Sequence, residues 1–185
     1  MRVITGTARG KRLRTLDGLD VRPTSEKVKE AIFSIIQFDI PEARILDLFA
    51  GSGQLGIEAL SRGAKGCVFV DQSRSSIVVI RENVEACGFS ERARILNTNA
   101  VDYLRSAPEV DIAILDPPYS KGLVLEALPL LESKIAPNGI VVCEHEAGLE
   151  LPERVGRLKK KREYSYGKTV ALTTYISDIS DTEEN

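Results

Sequence analysis

The sequence has few of the residues that build disulfides or metal sites. Its 185 residues include three cysteines and one histidine. Cys67, Cys87 and Cys143 cannot all pair with one another, and none of them stands in a C-x-x-C spacing. His145 has no second histidine to complete a common zinc ligand set. We therefore expect reduced, buried thiols and no metal, in a cytoplasmic protein.

Long apolar runs and a strong excess of one charge are also missing. No run is long enough to span a bilayer, and residues 1–15 are basic and polar, without the apolar segment of a signal peptide. The formal net charge is -2, from 25 basic and 27 acidic residues, so no global positive field surrounds the chain. These absences predict no membrane contact, and they require that any polyanion be held by local basic patches.

The sequence does contain a regular alternation of short apolar runs with helical patterns. The runs that read as strands lie at 45–49, 67–71, 93–96, 111–116 and 139–144. Such continuous apolar strands are typical of a sheet whose two faces are both covered by helices. The pattern predicts an α/β fold with a doubly wound parallel sheet, followed by a C-terminal antiparallel hairpin that turns around Gly167 and Lys168.

The two ends of the chain differ from this alternating core. Residues 2–16 mix β-branched and basic residues, which predicts a short irregular β arm, and an amphipathic helix follows from a cap at Thr24 or Ser25. The polar, acidic residues 177–185 are predicted to be disordered.

No interdomain linker interrupts the chain, so we expect a single domain over residues 1–176. Its residues 1–40, the arm and the helix, are assigned to the substrate side. Residues 41–176 are assigned to the cofactor-binding core.

A glycine-rich loop follows the first strand of the core. Gly51, Gly53 and Gly56 let the backbone turn sharply and approach a ligand closely, and Asp71 ends the next strand, where its carboxylate can accept hydrogen bonds from ribose hydroxyls. The spacing G-x-G-x-x-G also fits a dinucleotide site. Asp47 favours S-adenosylmethionine instead, because a carboxylate at the loop repels a pyrophosphate but helps hold an ammonium group.

A second motif, Asp116-Pro117-Pro118-Tyr119, follows the apolar strand at 111–116. Ligands bind at the carboxyl ends of strands in open α/β sheets, and two prolines fix a rigid loop there. The carboxylate of Asp116 and a proline carbonyl can accept the two hydrogens of an exocyclic base amine and aim its lone pair at a methyl group. Tyr119 can stack on the base. The motif therefore predicts methyl transfer to a nucleobase amine.

Together these motifs resemble the class I S-adenosylmethionine-dependent methyltransferases. The segments RVITGTARGKRL, RPTSEKVKEAIFSII, LDLFAGSGQLGIEALSRGA, LDPPY and YGKT are similar to the bacterial 16S ribosomal RNA guanine-N2-methyltransferase family, from Arg2 to about Ile176. The resemblance implies a Rossmann-like, seven-stranded, mostly parallel sheet. It also implies methylation of a guanine N2 in small-subunit ribosomal RNA, either naked or within an assembling subunit.

The resemblance also implies a set of site residues. Asn99 stands where many such enzymes have aspartate, and we expect its carbonyl to bind the adenine amino group. Lys27 and Lys29 stand where arginine is common, which keeps the charge without the bidentate geometry. The implied catalytic residues are Asp116, Pro117, Pro118 and Tyr119. The implied cofactor-binding residues are Asp47, Phe49, Ala50, Gly51, Ser52, Gly53, Asp71, Gln72, Asn99 and Ala100, and the implied substrate-binding residues are Arg9, Arg22, Thr24, Lys160 and Gly167.

The motifs leave several alternatives open. Adenine N6 offers an exocyclic amine to the same loop, and physical argument alone does not separate it from guanine N2. A dinucleotide-dependent oxidoreductase and a non-catalytic RNA-binding module are the alternatives of other classes. Glu144-His145-Glu146 is either an acid–base or metal cluster or a solvated or hydrogen-bonded strand end, and the basic run 159–162 is either a solvated face or an RNA contact.

Overall fold

The structure of the chain is a computed structural model that describes residues 1–16, 23–119 and 122–178, with only the backbone of residues 23–25. Most of the segment predicted as an acidic tail lies outside these ranges. The prediction was wrong for Ser177, which belongs to the last strand, and the amide of Asp178 donates to the carbonyl of Arg157 at 2.9 Å. Within the described ranges, no helix is long and apolar enough to cross a membrane, and no side chains are grouped to hold a metal ion.

The predicted α/β sheet is confirmed, and its strands lie in the order β3-β2-β1-β4-β5-β8-β7-β6. Strands β1 to β5 pair in parallel, and the last three pair antiparallel. The prediction had seven strands, and the additional strand is β6 (Arg154–Val155), a two-residue strand at the edge of the sheet. The strands are β1 (Arg44–Leu48), β2 (Gly66–Asp71), β3 (Ala93–Asn97), β4 (Val110–Leu115), β5 (Ile135–Glu146), β6 (Arg154–Val155), β7 (Leu158–Tyr166) and β8 (Val170–Ser177).

Helices cover both faces of the sheet. Successive residues of a strand point to opposite faces, so Ile45 packs in the hydrophobic cluster of the first face and Leu46 in that of the second. The first face carries α1 (Pro23–Ile35), α2 (Gln54–Ser61) and α3 (Arg74–Cys87), and the second carries α4 (Ala100–Ser106) and α5 (Leu123–Leu131). Helix α1 begins one residue before the predicted cap at Thr24, because proline suits the first helical position.

Strand β5 is longer than its predicted span of 139–144. The sequence Pro137-Asn138-Gly139 is typical of a turn, and Asn138 does adopt a left-handed φ of 61°. The structure accommodates these residues within the strand through a register shift against β4, between Val110 and Ile112. A β-bulge therefore replaces the expected strand start.

The N-terminal arm (residues 1–16) packs on α2. It closes as a loop with a single bridge between Arg2 and Arg12, less regular than a β hairpin. The amide of Thr7 donates to the carbonyl of Ser61 at 2.8 Å, and Gly6 lies so close that an added Cβ would stand 1.8 Å from that carbonyl oxygen. Only glycine fits this contact, where φ is also +85°.

A buried ion network fixes the arm to the helices, and we call Lys29, Glu58 and Arg62 the anchor network. The carboxylate of Glu58 accepts from the backbone amides of Ile4 and Thr5 at 2.8 and 2.9 Å, from Arg62 Nε at 2.9 Å, and pairs with Lys29 Nζ at 3.2 Å. Burial lowers the pKa of Lys29, and the charge of Glu58 opposes this shift. Every oxygen of this buried carboxylate is thus matched by a donor.

Candidate active site at the carboxyl edge of the sheet

A cavity of about 810 Å³ opens at the carboxyl ends of β1, β2 and β4. Strands β1 and β4 are neighbours here, and the connections that follow them run in opposite directions, to β2 and to β5, which is the usual ligand position in an open α/β sheet. The arm closes one wall through Met1, Thr15 and Leu16. Of the predicted site residues, those that line it are Phe49, Ala50, Gly51, Ser52, Asp71, Gln72, Asn99, Ala100, Asp116, Pro117 and Pro118.

The glycine loop has the left-handed backbone that its sequence predicts. Gly51 and Gly53 have φ values of 56° and 77°, and Gly53 leads directly into α2. A Cβ on Gly51 would meet no described atom within 4 Å, whereas one on Gly56 would lie 2.3 Å from the Phe69 ring. The first glycine therefore faces open space beside the cavity, and the third brings α2 close to β2.

Asp71 ends β2 at the cavity wall and organises the loops on either side. Its Oδ2 accepts from the amide of Gly51 and its Oδ1 from the amide of Ser73, both at 2.8 Å. A carboxylate oxygen has more than one acceptor position, so these bonds orient Asp71 while leaving it able to accept from a ligand. The arrangement places an anionic acceptor on the cavity wall, where the sequence predicts a ribose.

Asn99 lines the cavity, but its side-chain carbonyl caps a helix, whereas the sequence analysis expected it to bind a ligand. Its Oδ1 caps α4 by accepting from the amides of Val101 at 2.8 Å and Asp102 at 3.4 Å. The carbonyl was expected to bind an adenine amino group. The remaining polar atom of the side chain, Nδ2, can only donate, so a ligand here would need to offer it an acceptor.

Three acidic side chains gather at the cavity, and we call Asp47, Asp116 and Glu144 the acid cluster. Of these, Asp116 alone belongs to the described lining of the cavity. They come from the carboxyl ends of β1, β4 and β5, which are neighbours in the sheet. Asp47 is 1% exposed, while Asp116 and Glu144 are half-buried. Burial, followed by the charges of Glu144 and Asp47, raises the pKa of Asp116 well above its ordinary value. Such a group of perturbed acids in a cleft is typical of a functional site.

Asp47 lies deepest in the acid cluster and has an unsatisfied oxygen. Its Oδ2 accepts from the amide of Gly56 at 2.8 Å, but its Oδ1 is buried without a hydrogen-bond partner among the described residues. Burial raises the pKa of Asp47 to about 7, although the bond from Gly56 opposes the shift. Gln54, which the sequence prediction missed, lines the cavity and also has a buried, unpartnered Oε1. Both atoms are acceptors, so this part of the site suits a ligand with donor hydrogens.

Tyr119 lies beside the acid cluster rather than in the cavity lining. Its hydroxyl donates to Glu144 Oε1 at 2.7 Å, and its ring packs against the hydrophobic cluster on the first face of the sheet. Burial and then this hydrogen bond raise the pKa of Tyr119. Glu144 was not predicted as a site residue. The available signal was its position at the end of the strand that follows Asp116 along the chain.

His145, the other candidate of that segment, faces the opposite side of the sheet. It is 1% exposed, and its Nε2 lies 2.8 Å from the hydroxyl oxygen of Thr173. Its Nδ1 lies 3.0 Å from the carbonyl of Glu146. The interpretation of this histidine as a hydrogen-bonded strand residue therefore fits, and its position separates it from the acid cluster.

The predicted substrate-binding residues are scattered. Arg9 is exposed on the arm, and Gly167 forms the β7–β8 turn at the same edge as the cavity, since Val170 pairs with Glu146. Lys160 lies deeper in the sheet, and its ammonium contacts Glu153, Glu163 and the carbonyl of Leu151 at 3.1 to 3.4 Å. Its contacts favour a structural role. Arg22 and the side chain of Thr24 lie outside the described residues.

Comparison with known proteins identifies a family for this chain. The family model described as Conserved hypothetical protein 95 matches residues 1–175. The chain is 39% identical over 175 residues to a putative rRNA methyltransferase YlbH of Bacillus subtilis, covering 91% of this chain and 95% of that protein. It is 35% identical to ribosomal RNA small subunit methyltransferase D of Haemophilus influenzae, covering 87% and 88%.

A solved structure gives the same result at the level of the fold. The putative methyltransferase yhhF from Escherichia coli superposes with a TM-score of 0.86 at 34% identity, over 96% of this chain and 98% of that one. The chain therefore belongs to the Conserved hypothetical protein 95 family, and it is similar to relatives named ribosomal RNA small subunit methyltransferase D, so the predicted family resemblance is confirmed.

Proposed function

We propose that this protein transfers a methyl group from S-adenosyl-L-methionine to the exocyclic N2 amine of a guanine in small-subunit ribosomal RNA. The observation that carries the proposal is that one cavity is lined both by the glycine loop with Asp71 and by Asp116-Pro117-Pro118. Such a cavity can hold a cofactor and expose its reactive end to the groups that hold the amine.

The residues present fit this cofactor. Asp47 Oδ1 is a buried carboxyl oxygen without a partner among the described residues, which suits the ammonium of a methionyl group. Asp71 suits the ribose hydroxyls, with Gln72 beside it, and Asn99 and Ala100 line the part of the cavity left for the adenine. Phe49, Ala50, Gly51, Ser52 and Gly53 form the loop around the methionyl part. When bound, S-adenosylmethionine supplies an electrophilic methyl group on a sulfonium centre.

The chemistry assigned to this chain's residues is the holding of the amine. Pro117 and Pro118 lack backbone N–H groups, so their backbone can offer only carbonyl acceptors. The carboxylate of Asp116 and one such carbonyl accept the two amine hydrogens, which draws the nitrogen towards tetrahedral geometry. The nitrogen lone pair would then form the new N–C bond as the bond between the methyl carbon and the sulfonium sulfur breaks and S-adenosylhomocysteine leaves, and Asp116 lies where it could take the proton released afterwards.

The choice of ribosomal RNA rests on the relatives, which are named ribosomal RNA small subunit methyltransferase D in Haemophilus influenzae and Escherichia coli. Exposed basic residues on the arm support it, since Arg9 and Arg12 belong to the same segment as Met1 and Thr15 at the cavity wall. The proposal extends to a cytoplasmic enzyme that acts on free ribosomal RNA or an assembling small subunit. It assigns residues 1–40 to the substrate side of a single domain.

Nucleoside analysis by mass spectrometry, after reaction of the protein with small-subunit ribosomal RNA, tests this proposal. We expect N2-methylguanosine. Formation of N6-methyladenosine would refute guanine as the target base, while the assignment of methyltransferase activity would stand. Thermal stabilisation by S-adenosylhomocysteine but not by NAD is expected, and the reverse result would favour the dinucleotide-dependent oxidoreductase.

A further inference from the structure

Glu144 lies next to Asp116-Pro117-Pro118-Tyr119, which we call the amine-holding loop. The proposed function assigns Glu144 no part in methyl transfer. Strands β4 and β5 pair in parallel, with Leu115 opposite Cys143. Asp116 directly follows Leu115 at the end of β4, and Glu144 follows Cys143 in β5, so the two carboxyls occupy neighbouring positions at the same edge of the sheet.

Resting on the proposed function, we propose that Glu144 is a positioning residue that holds Tyr119, through its hydroxyl, in the orientation in which the ring meets the target base. The hydroxyl of Tyr119 donates to Glu144 Oε1 at 2.7 Å. A phenol that donates to a carboxylate makes a short, charge-assisted bond, about twice as strong as a neutral one.

The loop needs such a contact because its own backbone has few donors. Pro117 and Pro118 have no amide hydrogen, and the amide of Asp116 reaches the carbonyl of Leu48 only at 3.5 Å. The Tyr119 ring packs against the hydrophobic cluster on the first face of the sheet, and a side chain that accepts from its hydroxyl fixes its χ1 and χ2 further. Glu144 does so from the neighbouring strand, where β5 is paired on both sides by β4 and β8.

The acidic character of the site strengthens this inference. Burial raises the pKa of Glu144, and the hydrogen bond from Tyr119 opposes that shift. The bond therefore stabilises the charged form of a carboxyl that lies beside another acid. Glu144 and Tyr119 both lie outside the described lining of the cofactor cavity, so the effect of separating them should fall on the amine and base and not on the cofactor.

The experiment is a double-mutant cycle in single-turnover methylation of small-subunit ribosomal RNA. Tyr119→Phe removes the hydroxyl and keeps the ring, and Glu144→Ala removes the acceptor. We expect each to lower the rate roughly 10-fold, as one charge-assisted hydrogen bond predicts, and the double variant to be no slower than either. Glu144→Gln retains a neutral acceptor oxygen and should recover part of the loss, to a rate roughly 3-fold below wild type.

Calorimetric affinity for S-adenosylhomocysteine should stay unchanged in all these variants, which also reports that they fold. Glu150→Gln, an exposed carboxylate six residues further on, is the matched control and should leave the rate unchanged. Independent, multiplying losses in the double variant would overturn the inference, as would full activity of both single variants. Failure of the proposed function is distinguishable, because the wild-type protein would then leave the RNA unmethylated.

Discussion

The anchor network and the acid cluster both bury carboxylates, but they surround them differently. Glu58 receives two backbone amides, a lysine and an arginine. Asp47 receives one backbone amide and keeps an oxygen without a partner among the described residues. No ion pair of the described residues involves a member of the acid cluster. A buried charge with full compensation fixes structure, whereas uncompensated acids at a cavity lower stability and are typical of function.

The largest effect is expected where a fully paired charge loses its partner. Glu58→Ala leaves Lys29 buried beside an empty position and frees the amides of Ile4 and Thr5. The free energy of unfolding should fall by about 3–5 kcal/mol in chemical denaturation. Glu85→Ala, at an exposed position of α3, serves as control and should change stability little. A loss at Glu58 no greater than at Glu85 would contradict the structural role of the anchor network.

In the acid cluster the largest effect should appear in the rate. Asp116→Ala should slow single-turnover methylation about 100-fold or more, because its bonds matter most as charge develops on the nitrogen. Cofactor affinity should change far less. Asp111→Ala is the control, since this carboxylate lies on the same strand but pairs with Arg44 at 2.8 Å at the opposite edge of the sheet. Retention of the full rate in Asp116→Ala would falsify the amine-holding role.

Asp71 is intermediate between the two regions, because both its oxygens are partnered yet it faces the cavity. Asp71→Ala should weaken S-adenosylmethionine binding by roughly 1–3 kcal/mol in calorimetry, since ribose donors and the amides of Gly51 and Ser73 lose an acceptor. Asp102→Ala removes an exposed acid in α4 and is the control. Equal affinity in the two variants would place the ribose elsewhere.

Asp47→Asn tests the cost of the uncompensated acid. The folded protein holds the Asp47 pKa at about 7, against 3.8 in the unfolded chain. The unfolded chain thus releases this proton first, and the stability that the neutral carboxyl contributes is lost as pH rises from about 4 through 7. Asparagine keeps an oxygen for the amide of Gly56 and does not titrate.

We therefore expect the ligand-free Asp47→Asn variant to have a higher melting temperature than wild type at pH 8 and a smaller pH dependence. Its affinity for S-adenosylmethionine should be lower, because the ammonium loses an anionic partner. Parallel pH profiles of melting temperature for the two proteins would show that the carboxylate carries no such cost.

The smallest effect concerns exposed charges. Arg9→Ala with Arg12→Ala should flatten the salt dependence of RNA binding, by about 0.7–0.9 in logarithmic slope for each phosphate contact removed. Lys160→Ala should leave the slope unchanged, because its ammonium is already held by Glu153 and Glu163. If Lys160→Ala changes the slope and the double substitution of Arg9 and Arg12 does not, RNA docks on β7 instead of on the arm.

The fold and the cofactor side of the site were predictable because they depend on local patterns. Parallel strands place their carboxyl ends at one edge, so Asp71 and Asp116 could be brought together from their strand positions alone. Glu144 also ends a predicted strand, but its hydrogen bond with Tyr119 could not be predicted, because it depends on the register of β4 against β5, which no local pattern encodes. Lys160 and Glu163 would face opposite sides of a regular strand, and only the bulge between Lys160 and Arg162 brings them together.

The position of β8 has a consequence for how this methyltransferase is made in the cell. Strand β8 lies between β5 and β7, although both of those strands precede it in the chain. During translation, β7 therefore leaves the ribosome with no neighbour to join it to the rest of the sheet, and it must wait until residues 170–177 have emerged. A nascent chain released before that point would present two unpaired edges, at β5 and at β7, each open to aggregation.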